Sequence, residues 1–562
     1  MEKETFQNLP PFTRALLTQA GKRPVSFATP GHRSGDFYRK TEAGRIFCEA
    51  LSEYFFAADL SDSDDAIGNV NAHEGFGFEA EALAACVFHA DQTFFVLGGT
   101  SAANRIACAA LLSPGDTVLI AGHNHQSMVQ AIAETGARAV FLPVLRNEAG
   151  IVIGTPPECL TETYLRRRAA RVSGKKTPKK RPYRLACFPL VTYDGVFLSP
   201  RKILETVGPL CDYILFDAAW GGYEAFLAEM KDFSPLLMPL SEDAPGILVT
   251  QSVHKQLAGF TQTSQLHIRD AHLAGKKRRL APDVLAAAFS AHVSTSPFAP
   301  LFAGLEMNAA IHEEAGEALW EEAAQMGRFL KKEMETRLHR LRPFSAGNFG
   351  EGTEDWYRAD PCKIFLETRP AGIYGGVLDA YLQKRGIVPE KSSPQGVLFL
   401  ISPADTKEQY ETLLTALCDF ETAMDTNVPI SDIFPQIMDE DLSGGSLSVL
   451  GGVMLDFLTI YDFWDSETEC FAAAPKMKLT PREARDAFVS GKARLVSLKE
   501  AVGRIAVESA GAYPPGIPVV FPGTRFTEEA IRYLDLLSDF NRVFPEFPTE
   551  LHGVRVGNVW VL

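Results

Sequence analysis

Between Thr93 and Val249, short β-prone apolar runs alternate with stretches of helical spacing. The runs are Thr93–Leu97, Thr117–Ile120, Leu185–Phe188, Tyr213–Phe216 and Ile247–Val249. That alternation predicts an α/β fold, a mainly parallel sheet with helices on both faces. Parallel strands end at one edge, and open α/β sheets take their ligands just beyond it. The polar residues that follow each run are therefore expected to gather at one place.

Ile247–Val249 leads into Thr250-Gln251-Ser252-Val253-His254-Lys255. A lysine directly after a buried strand is costly unless it has a partner or a covalent task. Burial lowers its pKa, which suits it to Schiff-base chemistry. A lysine reaching out to water is the plainer alternative. Thr93–Leu97 leads into Gly98-Gly99-Thr100-Ser101-Ala102-Ala103-Asn104 and a helix through Leu112. Free amides at a helix start, the helix dipole and nearby hydroxyls make a phosphate cradle, although many such turns bind nothing. Tyr213–Phe216 ends in Asp217-Ala218-Ala219-Trp220, where Asp217 reads either as a ligand group or as a helix cap. Thr117–Ile120 delivers His123 and His125. No third ligand at metal spacing follows them, and a ring stacked over a planar ligand is an equally physical use of His125. A lysine, an aspartate, a histidine, an anion cradle and a tryptophan together match the needs of pyridoxal phosphate (PLP). The lysine takes the aldehyde and the carboxylate keeps the pyridine nitrogen protonated. The cradle takes the phosphate and the imidazole covers the ring.

At 562 residues the chain has room for three or four domains. Its net charge of −15 disfavours a nucleic-acid partner. No apolar run reaches membrane-span length, and Met1–Thr5 carries no secretory core. Nine scattered cysteines without a C-x-x-C pair fit a reducing compartment, so a cytoplasmic protein is expected. Helices are expected at Thr13–Gln19, Glu79–Ala90 and Leu305–Leu341, the last bridging a large and a smaller domain. Asp360–Leu366 and Gly396–Leu400 read as strands of the smaller α+β domain. The Lys- and Arg-rich stretch Arg166–Arg181 reads as a solvated loop, with a basic docking patch as the alternative. The acidic stretch Asp59–Asp65 reads as solvated. The expected division is an N-terminal arm (1–55), a PLP-binding large domain (56–304), a small α+β domain (305–425) and a C-terminal α+β domain (426–562).

Several motifs carry a resemblance. They are Pro30-Gly31-His32, Gly99-Thr100-Ser101 with Asn104, Thr192-Tyr193-Asp194-Gly195, Cys211 through Trp220 with Gly222-Tyr223-Glu224, Val249 through Gln265, Ser294 through Phe298, and Tyr513-Pro514-Pro515-Gly516. Over nearly the whole chain the sequence resembles the bacterial PLP-dependent decarboxylases of ornithine, lysine and arginine, most of all the ornithine decarboxylases. The resemblance implies fold type I (aspartate aminotransferase-like) and α-decarboxylation of an amino acid. Ornithine to putrescine comes first, with lysine, arginine or a non-cationic amino acid as alternatives. It implies Lys255 as the Schiff-base lysine, Asp217 on the pyridinium nitrogen and His125 stacked on the ring. Thr100, Ser101, Ser252 and His254 would hold the phosphate, and Trp220 would line the pocket. Ser296 would reach the other subunit's phosphate in a homodimer with sites at the interface.

Three departures bear on that picture. The family usually opens with a response-regulator-like wing domain, whereas Pro30-Gly31-His32 comes early here, so a wingless dimer is expected. The family's Asp-Arg-Asn-x-His-Lys-Ser reads Ala121-Gly122-His123-Asn124-His125-Gln126-Ser127. Its Pro-Gly-Glu, which supplies a carboxylate for the substrate's distal cation, reads Pro522-Gly523-Thr524. A buried ammonium without a carboxylate costs several kcal/mol. Either Glu390 or the Asp59 loop serves beside Thr524, or the substrate is not the usual diamino acid. A catalytically silent member that binds a partner protein is the competing reading, and the retained Lys255, Asp217 and His125 oppose it.

Overall fold

The computed structural model describes residues 6–61, 64–174, 179–344, 349, 352–437, 445–513 and 516–562. They separate into two compact units, Met1–Leu111 with Tyr213–Ala318, and Leu112–Asp212 with Leu319–Leu562. The fold is α/β.

In the first unit, strands stand in the order Gln92–Val96, Ser264–Arg269, Gly246–Gln251 and Cys211–Asp217, the last from Tyr213 onward. Gly246–Gln251 and Cys211–Asp217 are parallel, which sets Asp217 level with Thr250. Ser264–Arg269 is antiparallel to both neighbours, with Gln265 opposite Gln251 and Ser264 opposite Val96. This strand was not expected from the sequence, because Ser264, Gln265 and His267 break any apolar pattern. All three are buried, and they bond to Gln251, Thr93 and Thr100 instead of facing water. Gln251 Oε1 accepts from Gln265 Nε2 at 2.7 Å and lies 2.9 Å from His267 Nε2, while His267 Nδ1 meets Thr93 Oγ1 at 2.7 Å. The helix Gly99–Leu111 buries Ala103, Ile106 and Ala107 completely. The N-terminal helix Pro11–Lys22 is fastened by Glu306, a wholly buried carboxylate. It accepts from Phe12 N at 2.9 Å and from Thr13 N and Oγ1, each at 2.7 Å.

In the second unit, Tyr183–Pro189, Thr117–Ile120 and Arg138–Phe141 form a parallel ladder. Lys363–Glu367 and Gly396–Leu400 pair in a four-stranded antiparallel sheet with Arg342–Pro343 and Lys391–Ser393. The C-terminal part packs the helices Phe463–Ala472 and Glu528–Val543 beside two short ribbons. The long helix runs Ala299–Arg337, 39 residues. The basic stretch departs from expectation, since Glu162–Ser173 is a helix and not a loop. Leu165 and Ala169, four residues apart, supply its buried stripe, and Glu162 pairs with Arg166 across one turn at 2.6 Å. Lys175–Pro178 lie outside the described residues. Among the described residues no single helix is long and apolar enough to cross a membrane.

Glu306→Ala removes an ionised acceptor from three donors. Stability should fall by at least about 2 kcal/mol, with early tryptic release of the N-terminal helix. An unchanged urea midpoint would remove this role from Glu306.

Candidate active site

The first unit holds Thr100, Ser101, Asp217, Trp220, Ser252, His254, Lys255 and Ser296. Gly99 opens its helix at φ +73°, a backbone region that favours glycine. Thr100 and Asn104 follow on one face of that helix, four residues apart. Thr100 Oγ1 lies 2.6 Å from Ser252 Oγ and 3.0 Å from Ser264 Oγ, and Ser264 Oγ donates to the Gln251 carbonyl at 2.7 Å. Three hydroxyls thus converge at the helix start, with Ser101 next to them and half-buried. Asp217 is 7% exposed. Its Oδ2 accepts from Asn104 Nδ2 at 3.1 Å and its Oδ1 from Ala219 N at 3.0 Å. Asn104 Oδ1 in turn accepts from Thr250 Oγ1 at 3.0 Å. Both carboxylate oxygens are held in place, so the group has one orientation.

Lys255 is half-buried, and its Nζ stands 3.8 Å from the centre of the Trp220 ring. A compact turn carries it. Lys255 N donates to the Ser252 carbonyl and Ala258 N to the Lys255 carbonyl, each at 3.1 Å. Ala258 and Gln262 sit at φ +59° and +63°, a region disfavoured by about 1–2 kcal/mol per residue for L side chains. Asn308 Nδ2 donates to the Leu257 carbonyl and steadies the same turn. His254 Nδ1 lies 2.8 Å from the Thr263 carbonyl, which fixes that nitrogen as the N–H donor. Burial lowers the His254 pKa, and the Lys255 charge acts in the same direction. Ser296 is exposed, and its N donates to Ser294 Oγ at 3.1 Å within its own turn.

The second unit holds His125, Glu390 and Thr524. His125 precedes the helix Gln126–Thr135, and its Nδ1 accepts from Ser127 N at 3.2 Å. The ring edge lies against Gly516, where an added Cβ would come within 3.1 Å of His125 Cδ2. Thr524 is buried and committed to its own turn: Oγ1 donates to the Phe521 carbonyl at 2.7 Å and accepts from Phe521 N at 3.2 Å. Glu390 borders a cavity of about 480 Å³, and its Oε1 accepts from Tyr193 Oη at 2.8 Å. Burial raises the Tyr193 pKa, and the Glu390 charge adds to the effect. The same cavity is bordered by buried pairs, Lys391 with Asp194 and Arg146 with Glu467 at 2.9 Å. The other acid considered, Asp59, belongs to the first unit and pairs with His32 Nε2 at 2.9 Å.

The description "Orn/Lys/Arg decarboxylase, major domain" matches residues 10–409, and its C-terminal domain matches residues 465–561. The chain belongs to the Orn/Lys/Arg decarboxylase family. The constitutive ornithine decarboxylase of Escherichia coli (strain K12) is 39% identical, with 97% of this chain and 84% of that protein covered. A lysine decarboxylase of Pseudomonas aeruginosa is 32% identical over 97% of this chain and 78% of its own. The solved structure of lysine decarboxylase A from the same organism superposes with a TM-score of 0.90 at 31% identity, covering 99% of this chain and 80% of that one.

The family's enzymes are PLP-dependent amino-acid decarboxylases, and the first unit fits that cofactor by its donor set. It offers an amine on an aromatic face, a doubly hydrogen-bonded buried carboxylate, and clustered hydroxyls at a helix start. Sequence reasoning gave no role to Asn104, Thr250 or Ser264. For Asn104 a signal existed, its four-residue spacing from Thr100. Ser264 and Thr250 depend on strand pairing, which no local pattern announces.

His267, beneath this cluster, has its pKa pushed down to about 3 by burial. The unfolded value is about 6.5, so below that pH the unfolded chain takes up a proton that the native state refuses. Stability should therefore fall with falling pH, by up to about 1.4 kcal/mol per pH unit for this group. His267→Gln should flatten the dependence between pH 6 and 4, measured by urea unfolding of the holoenzyme. An unaltered slope would show that His267 is not buried neutral.

Proposed function

We propose that this decarboxylase acts on ornithine and releases putrescine. The carrying observation is the brace Thr250–Asn104–Asp217 set beside Lys255 on Trp220. Bound PLP supplies an aldehyde for a lysine and an electron sink for the electrons left when carbon dioxide departs. Lys255 would hold the cofactor through Nζ, and as a free amine it would hold a proton at that nitrogen. Asp217 would keep the ring nitrogen protonated, and its two hydrogen bonds orient it for that task. Thr100, Ser101 and Ser252 would hold the phosphate through their hydroxyls. His254 joins them only when protonated, because its neutral form has its N–H committed to Thr263. A phosphate nearby opposes the effect of burial and draws that second proton. Trp220, whose ring lies against the Lys255 amine, would shield it from water, and His125 is the residue proposed to cover the cofactor ring.

The higher identity to ornithine decarboxylases supports ornithine. Of the acids considered, Glu390 is favoured for the distal ammonium. Thr524 has no charge and is closed on its own turn, whereas Glu390 borders open volume. In this reading the PLP-binding domain is 56–304, followed by domains 305–425 and 426–562, and Ser296 serves the other subunit of a cytoplasmic homodimer.

Lys255→Ala should lose both the protein-bound visible absorbance of PLP and all turnover. Asp217→Ala should keep the fold and lower kcat by about 10²–10³. Full turnover in either would refute the assignment. Amine production across ornithine, lysine, arginine and neutral amino acids, read by mass spectrometry, should show ornithine preferred. Glu390→Gln should raise KM for ornithine about tenfold, equivalent to about 1.4 kcal/mol. Preference for a neutral amino acid would overturn the substrate proposal and leave the decarboxylase chemistry intact.

A further inference from the structure

The second unit contains a smaller cavity of about 230 Å³ with a very different lining. Three segments form it: the strand Arg138–Phe141, the helix Glu162–Ser173 and the segment leading into the helix Pro481–Val489. Five cations border it, Arg138, Arg168, Arg171, Lys476 and Lys478. Among the described residues the acid on its wall is Glu483, which leaves a balance of +4 (five less one) on a chain of net charge −15. Glu483 is otherwise engaged, since its Oε2 accepts from Thr480 N at 2.7 Å and from Thr480 Oγ1 at 3.0 Å as a helix cap. Among the described residues none of the five cations is in an ion pair.

The arrangement is built into the backbone. Arg168 and Arg171 are three residues apart and so share a helix face. Arg168 Nη2 donates to the Phe141 carbonyl at 2.9 Å and to the Pro475 carbonyl at 3.4 Å, which ties the three segments together. Lys478 N and Leu479 N donate to the Gly523 carbonyl at 2.8 and 3.2 Å, so the lysine-bearing segment is held by the turn at Gly523. Like charges brought together by three separate segments repel unless an anion joins them, and a concave wall focuses their field. Arginine forks match phosphate oxygens in pairs, and lysines add point charge. The volume lies below the ~300–1,000 Å³ of drug-sized pockets, which favours a small, charge-dense ligand.

We infer that this cavity is a binding site for a multiply charged oxyanion, an oligophosphate chain. It takes in Arg168 and Arg171, two cations of the basic stretch that the decarboxylase chemistry leaves unused.

The test uses PLP-loaded enzyme, so that the phosphate cradle near Lys255 is already filled. Tripolyphosphate is titrated calorimetrically against chloride and sulfate at equal ionic strength. Saturable binding of tripolyphosphate is expected, weakening with added salt. Arg171→Ala, Lys476→Ala and Lys478→Ala should each weaken it about tenfold, as expected for loss of a charged contact, while Lys499→Ala should not. Amine production without tripolyphosphate should be unchanged in all four. Binding no stronger than that of chloride, or equal binding by the three cavity variants, would overturn the proposal.

Discussion

A carboxylate at the end of a buried strand is the constraint on which the first unit depends. Asp217 is removed from water, and an ionised group there costs several kcal/mol unless its oxygens are satisfied. Asn104 solves this from the helix and the Ala219 amide from the chain itself. Because Asn104 also accepts from Thr250, one side chain links the helix Gly99–Leu111 to two adjacent strands. The same helix places Thr100 one turn earlier, against Ser252 and Ser264. The bracing of the acid and the clustering of the hydroxyls are therefore one geometric event.

The lysine arrives by a different route. Its turn joins two antiparallel strands and contains two non-glycine residues in the left-handed region. That conformation persists only where surroundings over-determine it, and here the contacts of Asn308 and Thr263 hold the turn. The strand beyond, Ser264–Arg269, is polar in sequence and buried in structure. Its glutamine and histidine both bond to Gln251 Oε1, and the histidine also bonds to Thr93. Such a set is tolerable in a core because most of its polar atoms are partnered, and burial keeps His267 neutral within it.

Two cavities of the second unit are of opposite character. The larger is bordered by buried ion pairs and by Glu390; the smaller is bordered by five cations. In the larger cavity oppositely charged groups compensate each other in the wall. In the smaller, Arg138, Arg171, Lys476 and Lys478 are exposed, and the proposed oxyanion would supply the compensation. Thr524 lines neither cavity, and its hydroxyl closes its own turn.

Much of this was legible in the sequence. The alternation of strands and helices determined the α/β class, and the residues after each strand marked Lys255, Asp217 and Thr100. These signals are local: β-propensity, a helix start and a charge in an unusual place. The basic stretch Arg166–Arg181 misled, because its charges concealed Leu165 and Ala169, the two positions that make Glu162–Ser173 a helix. Only the tertiary structure decided that Ser264–Arg269 is a buried strand, that Asn104 holds Asp217, that Thr524 is closed on itself, and that Arg168 and Lys478 face one cavity. Each of these depends on which distant groups satisfy a buried polar atom or share a wall. Such partners lie far apart along the chain, where no local period or propensity reaches.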